Sequence, residues 1–267
     1  DVLSGAVNPA ARLCETVPLR LEDNPSYGNF PGDSRSVRYG EGILVGYRSY
    51  DYKKQDVLYP FGFGLSYTTF DYDNLIVTQS GSVADGTLAA QVTLTVKNTG
   101  KVAGSEVVQV YVADPETSVL RPVRELKGFT KVHLEPGESK MVTIPLDQRA
   151  FSFWSVNLHR FAVEAGEFMI EVGPNSRDLP LKAIVIVDAP SIAAPLDHDS
   201  TAEEWLANPA ARQLILDRYG VDGKLPGFLG SEELMAIIGN FPMDRMITFG
   251  VGFTYPQMLE MLQELTA

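Results

Sequence analysis

Residues 89–100, AAQVTLTVKNTG, alternate apolar and polar side chains without a break. Val92, Leu94 and Val96 fall on one side of an extended chain, and Thr93, Thr95 and Lys97 on the other. A period of two marks a strand with one buried face, whereas a helix repeats every 3.6 residues or so. The trio Asn98-Thr99-Gly100 then supplies turn chemistry. The pattern returns in SEVVQVYVADP, with Val108, Val110 and Val112 opposite Val107 and Tyr111. It returns again in KMVTIPL (Val142, Ile144, Leu146), in EFMIEVG (Phe168, Ile170, Val172) and in LKAIVIVD. Turn residues separate these runs at Pro136-Gly137, Ala165-Gly166 and Pro174-Asn175-Ser176. Short alternating strands with no helical segment between them predict an antiparallel two-sheet sandwich over residues 71–190, of the immunoglobulin or fibronectin type.

The flanks differ from this middle. Residues 1–70 are dense in Gly, Pro, Asn and Tyr, with only short apolar runs. RLCETVPLRL reads as a strand followed by an extended Pro segment, and EGILVGYRSY (41–50) as a strand buried on both faces at its centre. Two short strands and long loops bury too little surface to offset their ordering entropy. The opening DVLSG reads as the last turn of a helix stopped by Gly5, and one turn does not nucleate alone. These residues are therefore expected to be the remnant of a domain whose other elements lie upstream. After a Pro/Ala linker, DAPSIAAPLDH (188–198), residues 191–267 turn helical. Ser200 with Glu203 forms an expected capping box ahead of Trp205 and Leu206. Asn208-Pro209 ends one helix and opens the next, which Gly220 stops. Ser231 starts a helix with Leu234, Ile237 and Ile238 on one face. Thr254 starts the last, whose stripe Met258, Leu259, Met261, Leu262 and Leu265 is expected to pack on other helices or on a partner rather than on a cofactor.

With 267 residues, the chain can hold one large domain or two moderate ones. No apolar run reaches the roughly 18 residues of a membrane-spanning helix, so no membrane partner is expected. The net charge of −12 argues against a nucleic-acid partner, because phosphate binding needs clustered Lys and Arg. Cys14 is the single cysteine, so no intrachain disulfide can form, and its apolar neighbours predict a buried, inert thiol. The lone cysteine tilts an otherwise undetermined localisation towards the cytoplasm. His133, His159 and His198 are too widely spaced for a zinc pattern, and neither a metal nor a cofactor is expected.

LYPFGFGLSYTTF (58–70) spends five aromatics, two glycines and a proline on thirteen residues. Gly62 and Gly64 permit backbone paths closed to other residues, and Pro60 fixes its φ. Tyr59, Phe61, Phe63 and Tyr67 can each bury a large area. The stretch is read as a hinge that glues two domains, ahead of a direct platform for a sugar. Together with NFPGDSRSVRYGEGILVGYRSYD (29–51), it resembles a segment of glycoside hydrolase family 3, the β-glucosidase family, at the end of that family's α/β sandwich domain. The opening SGAVNPAARLCETVPLRLEDNPSY is similar to the preceding part of that domain. SEVVQVYVADPETSVLRPVRELKGFTKVHLEPGES (105–139) is similar to the family's fibronectin type III-like domain. The resemblance runs in unbroken order over about residues 1–190, and the helical tail looks like an appendage of some bacterial members.

The resemblance implies a mainly β chain: a partial α/β sandwich remnant (1–70), a fibronectin type III-like sandwich (71–190) and a helical extension (191–267). It also implies a retaining mechanism, in which two carboxylates stand about 5–5.5 Å apart. In the family the nucleophilic Asp lies in an N-terminal (β/α)₈ barrel and the acid/base Glu in the α/β sandwich, upstream of the matched segment. Neither position exists in this chain, so no catalytic residue is assigned. Glu41 is the tempting substitute, but a structural role is expected, through backbone hydrogen bonds or a pair with Arg48. Asp23 is read as an Asx-turn residue, Arg121, Arg124 and Glu125 as surface ion pairs, and Trp154 as a core or interface residue. The leading expectation is the C-terminal portion of a β-glucosidase-like enzyme, inactive alone and packed on N-terminal domains, with a β-glucoside or oligosaccharide met through the complete enzyme. The alternative is a stand-alone carbohydrate- or protein-binding module, although the out-facing Thr and Lys of VTLTVKN offer no aromatic platform. The 200–267 helices can also serve to dimerise a parent protein, and oligomeric state is left open.

Overall fold

A computed structural model describes residues 1–190, 192 and 195–266. Residues 191, 193 and 194 of the expected linker lie outside the described residues. The chain divides into two compact units, Asp1–Ser191 and Ile192–Ala267.

The first unit begins with a small antiparallel pair, β1 (Val17–Pro18) with β2 (Val57–Tyr59), and a short helix, α1 (Tyr47–Tyr52). The alternating region then forms β3 (Phe70–Ser80), β4 (Ala89–Asn98), β5 (Gly104–Ala113), β6 (Glu125–Leu134) and β7 (Ser139–Asp147). A hairpin follows, β8 (Phe153–Ser155) with β9 (Arg160–Ala162), and then β10 (Gly166–Gly173) and β11 (Leu181–Val187). One sheet runs β3-β4-β7 and the other β11-β10-β5-β6, with every pairing antiparallel. This is the two-sheet sandwich that the period-two pattern predicts. Val92, Leu94 and Val96 of one sheet face Val108, Val110, Val112, Phe168, Ile170 and Val172 of the other in a single apolar core. Phe151 meets Phe168 edge-on in that core, with ring centroids 5.4 Å apart. Asn98 closes the β4 turn as the sequence implies: its Oδ1 accepts from Gly100 N–H, and its Nδ2 donates to the carbonyls of Val102 and Leu134.

Residues 1–70 depart from expectation. Residues 41–46 are turns and loop, and 47–52 a helix, so EGILVGYRSY is not a strand. Gly42 and Gly46 take φ of +56° and +55°, left-handed values that break an extended run on either side of Ile43 and Val45. Of RLCETVPLRL only Val17 and Pro18 pair, and Cys14 is exposed rather than buried. The opening turn behaves as read. Gly5 N–H donates to Val2 O and Ala6 N–H to Asp1 O, with Gly5 at φ +78°, the pair of bonds that closes helices.

The second unit contains α2 (Ala202–Ala207), α3 (Pro209–Tyr219), α4 (Glu232–Ile238), α5 (Met243–Met246) and α6 (Tyr255–Thr266). The capping box sits one residue beyond the expected place, on Thr201 and Glu204. Ser200 is already engaged, its hydroxyl with Asp197 and its carbonyl with Met243 N–H. Asn208 caps α3 through Ala210 and Ala211 N–H, with Pro209 at the first helical position. Met258, Met261 and Leu262 pack against Trp205, Ile215, Met243 and Met246 as core of this unit, with Leu265 partly buried beside them, while Leu259 of the expected stripe is exposed. On α4 the inward residues are Met235 and Ile238, while Leu234 and Ile237 are exposed. Among the described residues no helix is long and apolar enough to cross a membrane.

Candidate functional site

The aromatic stretch folds back on residues 11–13. Gly62 N–H donates to Leu13 O at 2.9 Å, and Leu13 N–H to Phe63 O at 2.8 Å. Gly62 has φ +81°, and a Cβ there would collide with the carboxamide of Gln109; one at Gly64 would strike the carbonyl of Ala11. Both glycines are therefore required by close approach. Gln109 donates to Gly62 O and Pro174 O, and accepts from Tyr111 OH at 2.6 Å. Phe61 stacks on Tyr47 at 4.7 Å, Tyr47 meets Tyr111 edge-on at 6.1 Å, and Tyr59 stacks on Phe63 at 4.9 Å. The Tyr47 hydroxyl accepts from Leu126 N–H at 2.9 Å. Burial pushes the Tyr47 and Tyr111 phenols above their ordinary range. The stretch is thus a seam, which clamps the N-terminal segment onto the outer face of the β5-containing sheet. Tyr67 stands apart, half exposed, donating to Val2 O.

Ion pairs continue the seam. Arg12 reaches both oxygens of buried Glu106 at 2.6 Å, and Tyr72 OH donates to the same carboxylate at 2.9 Å. Burial raises the Tyr72 phenol, and the Glu106 charge adds to it. Arg124 and Lys182 hold buried Glu171 at 2.6 and 2.7 Å, and Arg177 holds Asp51 at 3.0 Å. Burial moves the Asp51 carboxyl up, against the pull of Arg177 and Arg124. Arg121 and Asp114 form a buried pair at 2.8 Å, and burial raises Asp114 as well. Arg121, Arg124 and Glu125 are therefore not surface pairs: Arg48 covers Glu125, Asp51 and Ser176 meet Arg124, and Arg121 lies against the Phe151 carbonyl and the Phe153 ring.

Glu41 does not pair with Arg48. Arg48 goes to Glu125 at 2.9 Å, and Glu41 Oε2 is buried with no hydrogen-bond partner among the described residues. Asp23 makes no Asx turn. It accepts from Arg20 at 2.8 Å, which holds its carboxyl below the usual range, and Asn24 accepts from Ser26 N–H instead. Trp154 is not core: it is 51% exposed on the β8–β9 hairpin. His133, His159 and His198 stay apart, and no group of three metal-ligating side chains occurs among the described residues. Beside the hairpin lies a cleft of about 700 Å³, lined by Trp154, Phe161, Arg121, Arg149 and Lys127, with Glu125 its single carboxylate. A retaining mechanism needs two carboxylates, and this one is occupied by Arg48 and by Lys127 at 3.2 Å. The sequence reading missed Arg12, Asp51, Glu106, Gln109 and Glu171. For Glu106, Gln109 and Glu171 the available signal was a charge or amide inside a strand, whereas Arg12 in a loop and Asp51 in α1 carried none.

Comparison with known proteins places this geometry. Residues 106–176 match the fibronectin type III-like domain. Thermostable beta-glucosidase B of Acetivibrio thermocellus is 42% identical over 271 aligned positions, spanning 98% of this chain and 35% of that protein. The exo-alpha-(1->6)-L-arabinopyranosidase of Bifidobacterium longum is 45% identical over 250 positions, spanning 93% of this chain and 32% of the relative. The crystal structure of the Bifidobacterium adolescentis GH3 beta-glucosidase superposes with a TM-score of 0.73 at 47% identity, over 80% of this chain and 31% of that one. The chain spans about a third of the length of the relatives it matches.

Proposed function

Because this chain corresponds to the C-terminal portion of glycoside hydrolase family 3 proteins, we propose that it serves a retaining β-glucosidase as the module that packs and braces the catalytic domains. In this reading residues 1–70 are the end of an α/β sandwich domain, residues 71–190 the fibronectin type III-like domain and residues 191–267 a helical extension. The reacting Asp and Glu lie outside the chain, and its substrate, a β-glucoside or oligosaccharide, is met only by the complete enzyme. The observation that carries the proposal is the seam: a dense aromatic and ion-paired joint holding a segment that has almost no core of its own. Leu3, Tyr39 and Phe30 of that segment are 99%, 81% and 72% exposed, which fits side chains that a neighbouring domain covers. Relatives named for two different glycosidase activities match this chain comparably well, so the sugar preference is assigned to the other domains.

Hydrolysis of an aryl β-glucoside tests the reading. The chain alone is expected to show no turnover, and co-expression with the N-terminal two thirds of the Acetivibrio thermocellus relative is expected to restore it. Turnover by the chain alone that vanishes in Glu41→Gln would place the catalytic machinery here and refute the proposal.

A further inference from the structure

The cleft beside the β8–β9 hairpin has an unusual charge inventory for so acidic a chain. Four cations line it, Arg48, Arg121, Lys127 and Arg149, against the single carboxylate Glu125. Glu125 engages Arg48 at 2.9 Å, Lys127 at 3.2 Å and Arg121 at 3.7 Å, and Arg121 also holds Asp114 at 2.8 Å. Two carboxylates therefore serve three cations. Arg149 remains over. Its guanidinium lies above the Phe161 ring, 3.0 Å from the centroid, and it has no carboxylate partner among the described residues. Burial pushes Lys127 down against the pull of Glu125, and Arg121 and Arg48 add to the lowering. An electropositive recess on a chain of net charge −12 concentrates small anions where the rest of the surface repels them.

The hairpin adds a ring platform. Trp154 and Phe161 are direct cross-strand partners, with centroids 4.9 Å apart and planes at 67°. Both rings are left partly in solvent, which is costly for large aromatics unless something covers them. Ser152, Ser155 and Asn157 bring hydroxyl and amide groups to the same rim. At about 700 Å³ the cleft has the size of small-molecule sites, which combine apolar walls with a few polar groups.

We propose that this cleft binds a six-membered-ring carboxylate, with the ring on Trp154 and the carboxylate on the fork of Arg149. A planar guanidinium matches a carboxylate in two parallel hydrogen bonds, and one unpaired cation calls for a monoanion. A uronic-acid sugar and an aromatic acid share this chemistry. The proposal does not rest on the hydrolase reading, because binding is measured directly on the chain without turnover.

The chain has two tryptophans, and Trp205 is buried in the helical unit, so Trp205→Phe leaves Trp154 as the sole indole. Sodium glucuronate, sodium benzoate and glucose are titrated into that variant at constant ionic strength, following Trp154 emission. Calorimetry on the unsubstituted chain repeats the titration in case Trp205→Phe loosens the helices. A saturable response to a carboxylate is expected, about tenfold or more weaker for glucose and in Arg149→Gln, the worth of one charge-assisted hydrogen bond. Arg149→Lys is expected to fall between, and Trp154→Ala to lose the response to calorimetry. Response to glucuronate alone identifies a sugar acid, and response to benzoate alone an aromatic acid. Equal affinity for glucose and glucuronate, unchanged binding in Arg149→Gln, or no saturation by either acid up to about 50 mM overturns the proposal.

Discussion

Strand β5 is buried on both faces, and the two faces are held by different physics. Inward, Val108, Val110 and Val112 meet an apolar core in which any side chain of similar volume can serve. Outward, Gln109 and Tyr111 have partners in residues 1–70 or in the turn after β10, while Glu106, in line with Val108, pairs with Arg12 and Tyr72 at the edge of the core. The core gains from every ångström of apolar area and is indifferent to direction. The seam must desolvate charges and returns little net stability, but it admits one placement of the segment. Stability therefore resides mainly in the sandwich, and orientation in the joint.

The sharpest way to break this contrast is to remove one charge of a buried pair. Glu106→Ala strands Arg12 and removes the Tyr72 acceptor, and is expected to cost about 3–5 kcal/mol in urea unfolding followed by circular dichroism. If the seam serves orientation, the double variant Arg12→Met with Glu106→Leu recovers most of that loss, because the isolated charge is gone. A double variant as unstable as the single would show the pair to be a net source of stability. Leu94→Ala probes the apolar core. Leu94 is fully buried, and its truncation is expected to cost about 2–5 kcal/mol by cavity formation. No second substitution in the seam should rescue it.

The same contrast explains what was legible in the sequence. The sandwich could be read because period-two alternation and turn residues are local, and its strands satisfy one another within the chain. Residues 41–50 misled because GILV looks like a buried strand, while the conformation is decided by the left-handed glycines 42 and 46. The apolar neighbours of Cys14 predict burial, yet its thiol is exposed, because burial there depends on surfaces distant in sequence. Glu106 interrupts the apolar face of a strand that otherwise alternates cleanly, a visible anomaly, whereas Glu171 sits at an ordinary polar position of its strand; their partners Arg12 and Arg124 lie 94 and 47 residues away. Motif order identified the seam, whereas pairing needed three dimensions. Gly62→Ala sharpens this point. Its Cβ meets Gln109 and its φ is left-handed, so a cost of about 1–3 kcal/mol is expected. Adding Gln109→Ala should return the part due to collision and leave the backbone part, about 1 kcal/mol. Tyr47→Phe keeps the stack on Phe61 but deprives Leu126 N–H of its acceptor, for about 1 kcal/mol.

Acid titration gives the smallest effect and tells the two kinds of carboxylate apart. Asp114 has its pKa raised by burial, despite Arg121. The folded state then binds its proton more readily than the unfolded chain does. This carboxyl therefore weakens folding at neutral pH, and the penalty fades as pH falls through its folded pKa towards the ordinary value of 3.8. Glu138 is the opposite case. The Glu135 backbone N–H and Lys140 hold it low, so its contribution is complete above the ordinary value of 4.5 and is lost as pH falls through the lower folded value. Between neutrality and about pH 4, Asp114→Asn should remove a stabilising rise on acidification, so the variant's melting temperature falls faster with acid than that of the parent. Glu138→Gln should leave that interval almost unchanged and differ only in stronger acid. Parallel melting curves for Asp114→Asn and the parent over this range would mean that Arg121 compensates the burial of Asp114 in full, and that the seam's charges cost the fold nothing.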